Sequence, residues 1–220
     1  MRRAILPAGT AAAAWSLPAL APVARPVARA LGVPRRLDGG PATLTFDDGP
    51  HPEGTPAVLE ALGKANAKAI FFLVGEQVER NPSLAAEVAA AGHTIASHGH
   101  RHINQLRRLD VPDDLRRAHD AIATATGREP ELYRPPYGIF SWPGLRAARE
   151  RYDLLLWSRW GHDWRARATP ESIAAEVAED LGPGDVLLLH DADTYSAPGS
   201  HRRTAAALPR VLEALQASGR

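Results

Sequence analysis

The sequence has no cysteine and a single methionine among its 220 residues. The first absence removes disulfides and thiolate ligands together, so a transition metal can be held only by imidazole and carboxylate, a donor set that suits zinc and its neighbours. It leaves the redox compartment open. Charge of one sign is lacking too: 26 basic against 25 acidic residues leave a net charge of +1, without a basic stripe. Nucleic acid is therefore not an expected partner. There is no internal repeat, and the length suits one domain, since α/β barrels reach about 200–250 residues as a single unit.

The most biased stretch is at the start. Arg2 and Arg3 precede an uncharged, alanine-rich run over 4–24 that is broken by Pro7, Gly9, Pro18 and Pro22. A basic start, an apolar run and the small-x-small site Ala28-Arg29-Ala30 have the order of an export signal. The run also approaches the roughly 20 residues of a bilayer span, although its prolines work against a clean helix. Residues 1–40 are thus expected to be a leader and linker, placing the protein outside the cytoplasm or on the membrane through 4–24. A segment draped on the surface of a cytoplasmic protein is the alternative. Residues 41–220 form the expected catalytic domain, read as a monomer.

Within it, strand-like runs at 42–46, 68–74, 94–96, 132–134, 153–157 and 185–189 alternate with helical patterns at 55–65, 82–91, 112–126, 142–151, 170–181 and 202–217. Strands separated by single helices build parallel sheets, closed into barrels or open and doubly wound, with ligands at the carboxyl ends of the strands.

Two such ends carry chemistry. Thr45-Phe46-Asp47-Asp48-Gly49-Pro50 places two carboxylates where a buried strand gives way to a turn, and Ser97-His98-Gly99-His100-Arg101-His102 places two histidines four apart. On one helical turn His98 and His102 would share a face, and Asp48 would complete the three ligands of a catalytic zinc site. Each string has a plainer alternative. The aspartates can cap a turn, and the histidines can belong to a solvated polar loop.

Three later clusters tip the balance: Tyr133-Arg134-Pro135-Pro136-Tyr137-Gly138, then Trp157-Ser158 with Asp163-Trp164, then Leu187-Leu188-Leu189-His190-Asp191. Taken in this order over about 42–215, the five motifs resemble the polysaccharide deacetylase family of metal-dependent carbohydrate esterases. The resemblance implies an α/β fold, a distorted barrel of parallel strands, and removal of N-acetyl groups from amino sugars of a peptidoglycan-like or chitin-like glycan. The alternatives are an O-acetyl esterase or linear-amide hydrolase on the same site, and a carbohydrate-binding homologue without turnover. It implies a divalent metal, zinc before cobalt or nickel, held by Asp48, His98 and His102. Asp47 would be the general base and His190 the general acid. Arg134 would pair with Asp47, Asp163 would orient His190, the Tyr137 backbone N–H would meet the oxyanion, Trp164 would wall the site and Leu188 would line the acetyl pocket.

The chain departs from the family pattern in three places. Trp160 stands where an acid is common, which removes one expected partner of Arg134. Gly99 replaces a hydroxyl residue beside the first metal histidine. The sequence stops at Gly219-Arg220 without a closing strand, so the barrel is expected to be incomplete, with a seam near the C-terminus. Phe140, Trp142 and Tyr195 are candidates either for stacking on sugar rings or for packing.

Overall fold

The computed structural model describes residues 15–218, so residues 4–14 of the expected leader lie outside the described part. Seven parallel strands form one curled sheet in the order β5-β4-β3-β2-β1-β7-β6. They are β1 Thr43–Asp47, β2 Ile70–Leu73, β3 Thr94–Ser97, β4 Leu132–Tyr133, β5 Asp153–Leu154, β6 Arg159–Trp160 and β7 Val186–His190. The helices between and beside them are α1 Arg25–Ala30, α2 Gly54–Lys64, α3 Gly75–Arg80, α4 Pro82–Ala90, α5 Val111–Thr126, α6 Trp142–Arg149, α7 Pro170–Ala178 and α8 Ser200–Ser218. The expected β/α alternation is present. The short helices α1 and α3 and the two-residue strand β6 are the elements that periodicity did not give, since each is too brief to repeat a pattern.

Side-chain alternation along the strands divides the apolar residues between two cores. Leu44, Phe46, Phe71, Leu73, Leu187 and Leu189 face the helix layer, whereas Phe72, Ala96, Val186 and Leu188 face the barrel interior. The same parity turns Thr45 and Asp47 on β1, and His190 on β7, inward. Register then brings them together, because β1 pairs with β7 with Asp47 opposite His190.

The break in the sheet falls between β5 and β6 rather than beside the last helix. One extended stretch supplies both strands: it pairs with β4 at Leu154, runs through residues 155–158, and pairs with β7 at Arg159. Its middle has no neighbouring strand, and two other parts of the chain satisfy it. The Pro34 carbonyl accepts from Leu156 N at 2.9 Å, and Arg35 Nε donates to the Trp157 carbonyl at 2.9 Å. From the inside, Arg134 donates to the carbonyls of Leu155 and Leu156.

The segment 15–40 is therefore packed against the domain along this seam, with Ala21, Ala28 and Val33 buried in the inner core. No helix among the described residues is long and apolar enough to cross a membrane. Truncating Val33, 2 % exposed, removes two buried methyl groups. Val33→Ala is expected to cost about 2 kcal/mol, from roughly 0.8 kcal/mol per buried carbon plus a cavity contribution. Urea unfolding measures it; a cost near zero would mean that the segment is only draped over the domain.

Candidate active site

β1 ends in Asp47, and the chain turns at once into Asp48, whose φ of 80° is left-handed. That conformation strains a non-glycine residue and is retained where surrounding structure fixes it. Gly49 follows against the Asp191 carboxylate, where a Cβ would lie 2.4 Å from Oδ2, so the turn has no room for a side chain. Asp191 in turn accepts from the Thr55 hydroxyl at the start of α2. Burial pushes the Asp191 carboxyl up to about 7, with the Thr55 bond opposing and Asp48 reinforcing the shift.

His98 and His102 follow β3, and here the expected helical turn is absent. The segment is a loop, because Gly99 takes a φ of 81° and the Asp114 carboxylate captures the next two backbone amides, His100 N at 2.9 Å and Arg101 N at 3.2 Å. Arg108 Nη1 reaches the same carboxylate at 2.6 Å. Asp114 stands in the first turn of α5, where the helix dipole alone would favour an acid, and is instead a buried organiser of the histidine loop. Its neighbour Asp113 is the exposed one.

The loop still delivers both histidines to one place. His102 Nε2 lies 3.2 Å from Asp48 Oδ1 and His98 Nε2 lies 3.6 Å from the same atom. A ligand atom from each of the three residues falls within 4.8 Å of the others. His98 Nδ1 is 2.8 Å from the Arg134 carbonyl, which can only accept, so Nδ1 carries the proton and Nε2 presents a lone pair. Burial lowers the His98 imidazole to about 4, against the pull of Asp47 and Asp48, so it is neutral as a ligand must be. Burial disfavours the Asp48 charge, but His102, His190 and His98 outweigh it and hold the carboxyl below its ordinary value. Asp48 Oδ1 is buried and has no hydrogen-bond partner among the described residues. A neutral imidazole, an ionised carboxylate and an orphaned oxygen aimed at one point fit a divalent cation.

A second cluster, His51, Asp193 and His201, has similar spacing but different chemistry. His51 Nδ1 accepts from the amides of Gly54 and Glu53, so the neutral ring carries its proton on Nε2, which faces Asp193 Oδ1 at 3.2 Å. A nitrogen that carries a proton has no lone pair for a metal. This cluster caps α2 and ties it to the loop after β7.

On the other side of the metal candidates sits Asp47, gripped by Arg134 Nη1 at 2.6 Å. The same nitrogen donates to Thr45 Oγ1 at 2.9 Å, and the guanidinium carbon lies 3.9 Å from the Phe72 ring centroid. Together with the seam carbonyls these contacts satisfy Arg134 without an acid at position 160. Trp160 instead packs with Trp157 and Trp164, each at a centroid distance of 5.2 Å.

His190 lies across the site with its Nδ1 2.8 Å from Asp163 Oδ1. The other Asp163 oxygen accepts from His190 N and from Thr204 Oγ1, both at 2.7 Å. Burial opposes the charge on His190, but Asp163, with help from Asp48 and Asp47, raises it to about 10. Its Nε2 is left to face the cleft.

Asp47, Asp48, His98, His102 and His190 line a cleft of about 300 Å³. Leu188 and Trp164 are in its wall, the latter edge-on to His190 at 5.5 Å, and Tyr137 stands at its side with a φ of 60°. Of the three aromatic candidates, Tyr195 lines the cleft, Phe140 is fully buried in the inner core, and Trp142 is half exposed at the start of α6. Thr45 and Thr204 are contributors that the sequence does not single out. Only Thr45 carried a signal, since it stands two residues before Asp47 on one strand face.

Known proteins resemble the chain in both sequence and fold. Residues 35–151 match the polysaccharide deacetylase family. A peptidoglycan-N-acetylglucosamine deacetylase of Bacillus cereus is 37% identical over 182 residues, covering 80% of this chain and 82% of the relative. A chitooligosaccharide deacetylase of Azorhizobium caulinodans is 34% identical, over 80% of this chain and 88% of its own length. Among solved structures, the Bc1960 peptidoglycan N-acetylglucosamine deacetylase, in complex with 4-naphthalen-1-yl-N-oxidanyl-benzamide, superposes with a TM-score of 0.76 at 28% identity, over 84% of this chain and 86% of its own. The chain therefore belongs to the polysaccharide deacetylase family and is a hydrolytic deacetylase.

Proposed function

We propose that this protein removes N-acetyl groups from amino sugars of a cell-wall or chitin-type glycan outside the cytoplasm, using a zinc ion held by Asp48, His98 and His102. The observation that carries the reading is that Asp47, held by Arg134, and His190, held by Asp163, line one cleft with those three residues. A divalent cation supplies Lewis-acid charge there, polarising the acetamide carbonyl and acidifying water.

The chain's own groups do the rest. Asp47, held by Arg134, takes the proton from the attacking water as the new C–O bond forms. The backbone N–H of Tyr137 donates to the oxygen that gains charge. His190 starts protonated, as Asp163 ensures, and delivers its proton to the amine nitrogen as the C–N bond breaks. Acetate and a free amino sugar leave. Leu188 and Trp164 keep the acetyl methyl in an apolar corner and water out of it.

Release of acetate from N-acetylglucosamine oligomers and from peptidoglycan, by metal-stripped protein before and after zinc or cobalt, tests the reading. Metal-dependent release is expected on at least one of the two. Release only from O-acetylated xylan would move the activity to ester cleavage, and no release by a folded, metal-loaded protein would favour a binding role.

The acid has its own test. Asp163→Asn removes the charge that keeps His190 protonated, so the alkaline limb of the pH–rate profile is expected to shift to lower pH. A bound cation also works against that charge, so both proteins are compared at equal metal load. An unmoved alkaline limb would separate that limb from His190.

A further inference from the structure

We propose that Tyr195 is a positioning residue for the metal, holding the His102 imidazole by ring stacking; this rests on Asp48, His98 and His102 being the ligand set. A metal-bound histidine ordinarily donates its second ring N–H to a carboxylate or a carbonyl, which fixes the plane of the ring. His98 does so, through Nδ1 and the Arg134 carbonyl at 2.8 Å. His102 does not. Its Nδ1 is buried and has no hydrogen-bond partner among the described residues. Apart from the Nε2 contact with Asp48 at 3.2 Å, no polar group among the described residues sets the rotation of that ring.

Aromatic contact takes the place of the missing bond. The Tyr195 ring lies parallel to His102, with centroids 4.2 Å apart and planes 11° from each other. Tyr137 meets His102 edge-on at 4.5 Å and 63°. A face on one side and a roughly perpendicular ring on another fix the plane of the imidazole, in which Nε2 points to Asp48.

Tyr195 is itself immobilised by polar contacts that ordinary packing would not need. Its hydroxyl donates to Glu76 Oε1 at 2.6 Å and accepts from Gln77 Nε2 at 3.0 Å, both on α3. Two residues earlier, Asp193 accepts from Gly199 N at 2.7 Å and faces His51 and His201, each at 3.2 Å. The loop after β7 is thus pinned on both sides of the tyrosine. Tyr195 belongs to neither apolar core and is only partly buried, so the ring is placed for His102 rather than for the core.

The test is zinc affinity, read by competition with a chromophoric chelator, together with the d–d spectrum of the cobalt-loaded protein. Neither depends on deacetylation. Tyr195→Ala is expected to weaken zinc about 10–100-fold, the usual cost of losing a group that orients a ligand, and to alter the cobalt bands. Tyr195→Phe keeps the ring and is expected to restore most of the affinity and the spectrum. Glu76→Gln weakens one of the two hydroxyl bonds that Tyr195→Phe loses altogether, and is expected to fall between wild type and the phenylalanine variant. Wild-type affinity in Tyr195→Ala would overturn the proposal, and so would a phenylalanine variant as weak as the alanine one. Should Tyr195→Ala fail to fold, Tyr195→Leu, which keeps apolar bulk but has no ring face to stack on His102, takes its place, and wild-type affinity in that variant overturns the proposal. A wild-type protein that binds neither zinc nor cobalt would instead refute the ligand set itself.

Discussion

Asp47→Asn is expected to lower kcat by about 10²–10⁴-fold, the usual contribution of a positioned general base, while zinc still binds. The substitution is nearly isosteric and keeps an oxygen for Arg134 Nη1, but an amide has no basic site at neutral pH. The side chains of the proposed ligands are unchanged, and Asp47 Oδ2 lies 3.8 Å from His98 Nε2, beyond hydrogen-bond distance. His98→Ala gives the contrasting result: it removes one of three donors, and both zinc and turnover are expected to be lost. Isothermal titration with zinc and an acetate-release assay on the same preparations separate the two cases. Undiminished turnover in Asp47→Asn would remove Asp47 from the role of base, and stoichiometric zinc in His98→Ala would remove His98 from the metal.

Much of the site is legible because strand parity and motif order both survive folding. Asp47 follows Thr45 by two on β1, and His190 follows Leu188 by two on β7, so their inward direction is implied once the two runs are read as strands. Their encounter is a matter of register, Asp47 opposite His190, which no local pattern carries. The histidine loop shows a different limit. A spacing of four suggests a helical face, yet Gly99 and the buried Asp114 carboxylate bend the segment another way and still bring both rings to Asp48. Spacing singled out the candidate ligands for a reason the fold does not use. Thr204, which orients Asp163 from α8, is 41 residues away in sequence and looks like any helical threonine. The segment 15–40 reads as a leader because its composition is that of one, whereas its burial depends on a seam that exists only once β5 and β6 have separated.

That seam explains why Arg134 is completely buried, and it sets the largest expected loss of stability, in Arg134→Met. Burial works against the guanidinium's charge and Asp47 offsets it; without Arg134 the Asp47 carboxylate is stranded, whereas in Asp47→Asn the guanidinium keeps its bonds to Thr45, Leu155 and Leu156. Removing one partner of such a pair leaves an uncompensated buried charge, at a cost of about 3–5 kcal/mol. Methionine fills much of the volume and can lie on Phe72, but it donates nothing, so the carbonyls of Leu155 and Leu156 also lose their bonds at the place where no strand runs alongside. Asp47→Asn in the same chain neutralises the stranded carboxylate, so the double variant is expected to be more stable than Arg134→Met alone, and denaturant unfolding of the metal-free proteins measures that coupling. What the second substitution cannot restore is the seam: the Leu155 and Leu156 carbonyls remain unpaired, and the double variant stays below wild type. A single variant within about 1 kcal/mol of wild type, the scale of a surface ion pair, would mean that Arg134 serves only to orient Asp47 and that the barrel closes without it.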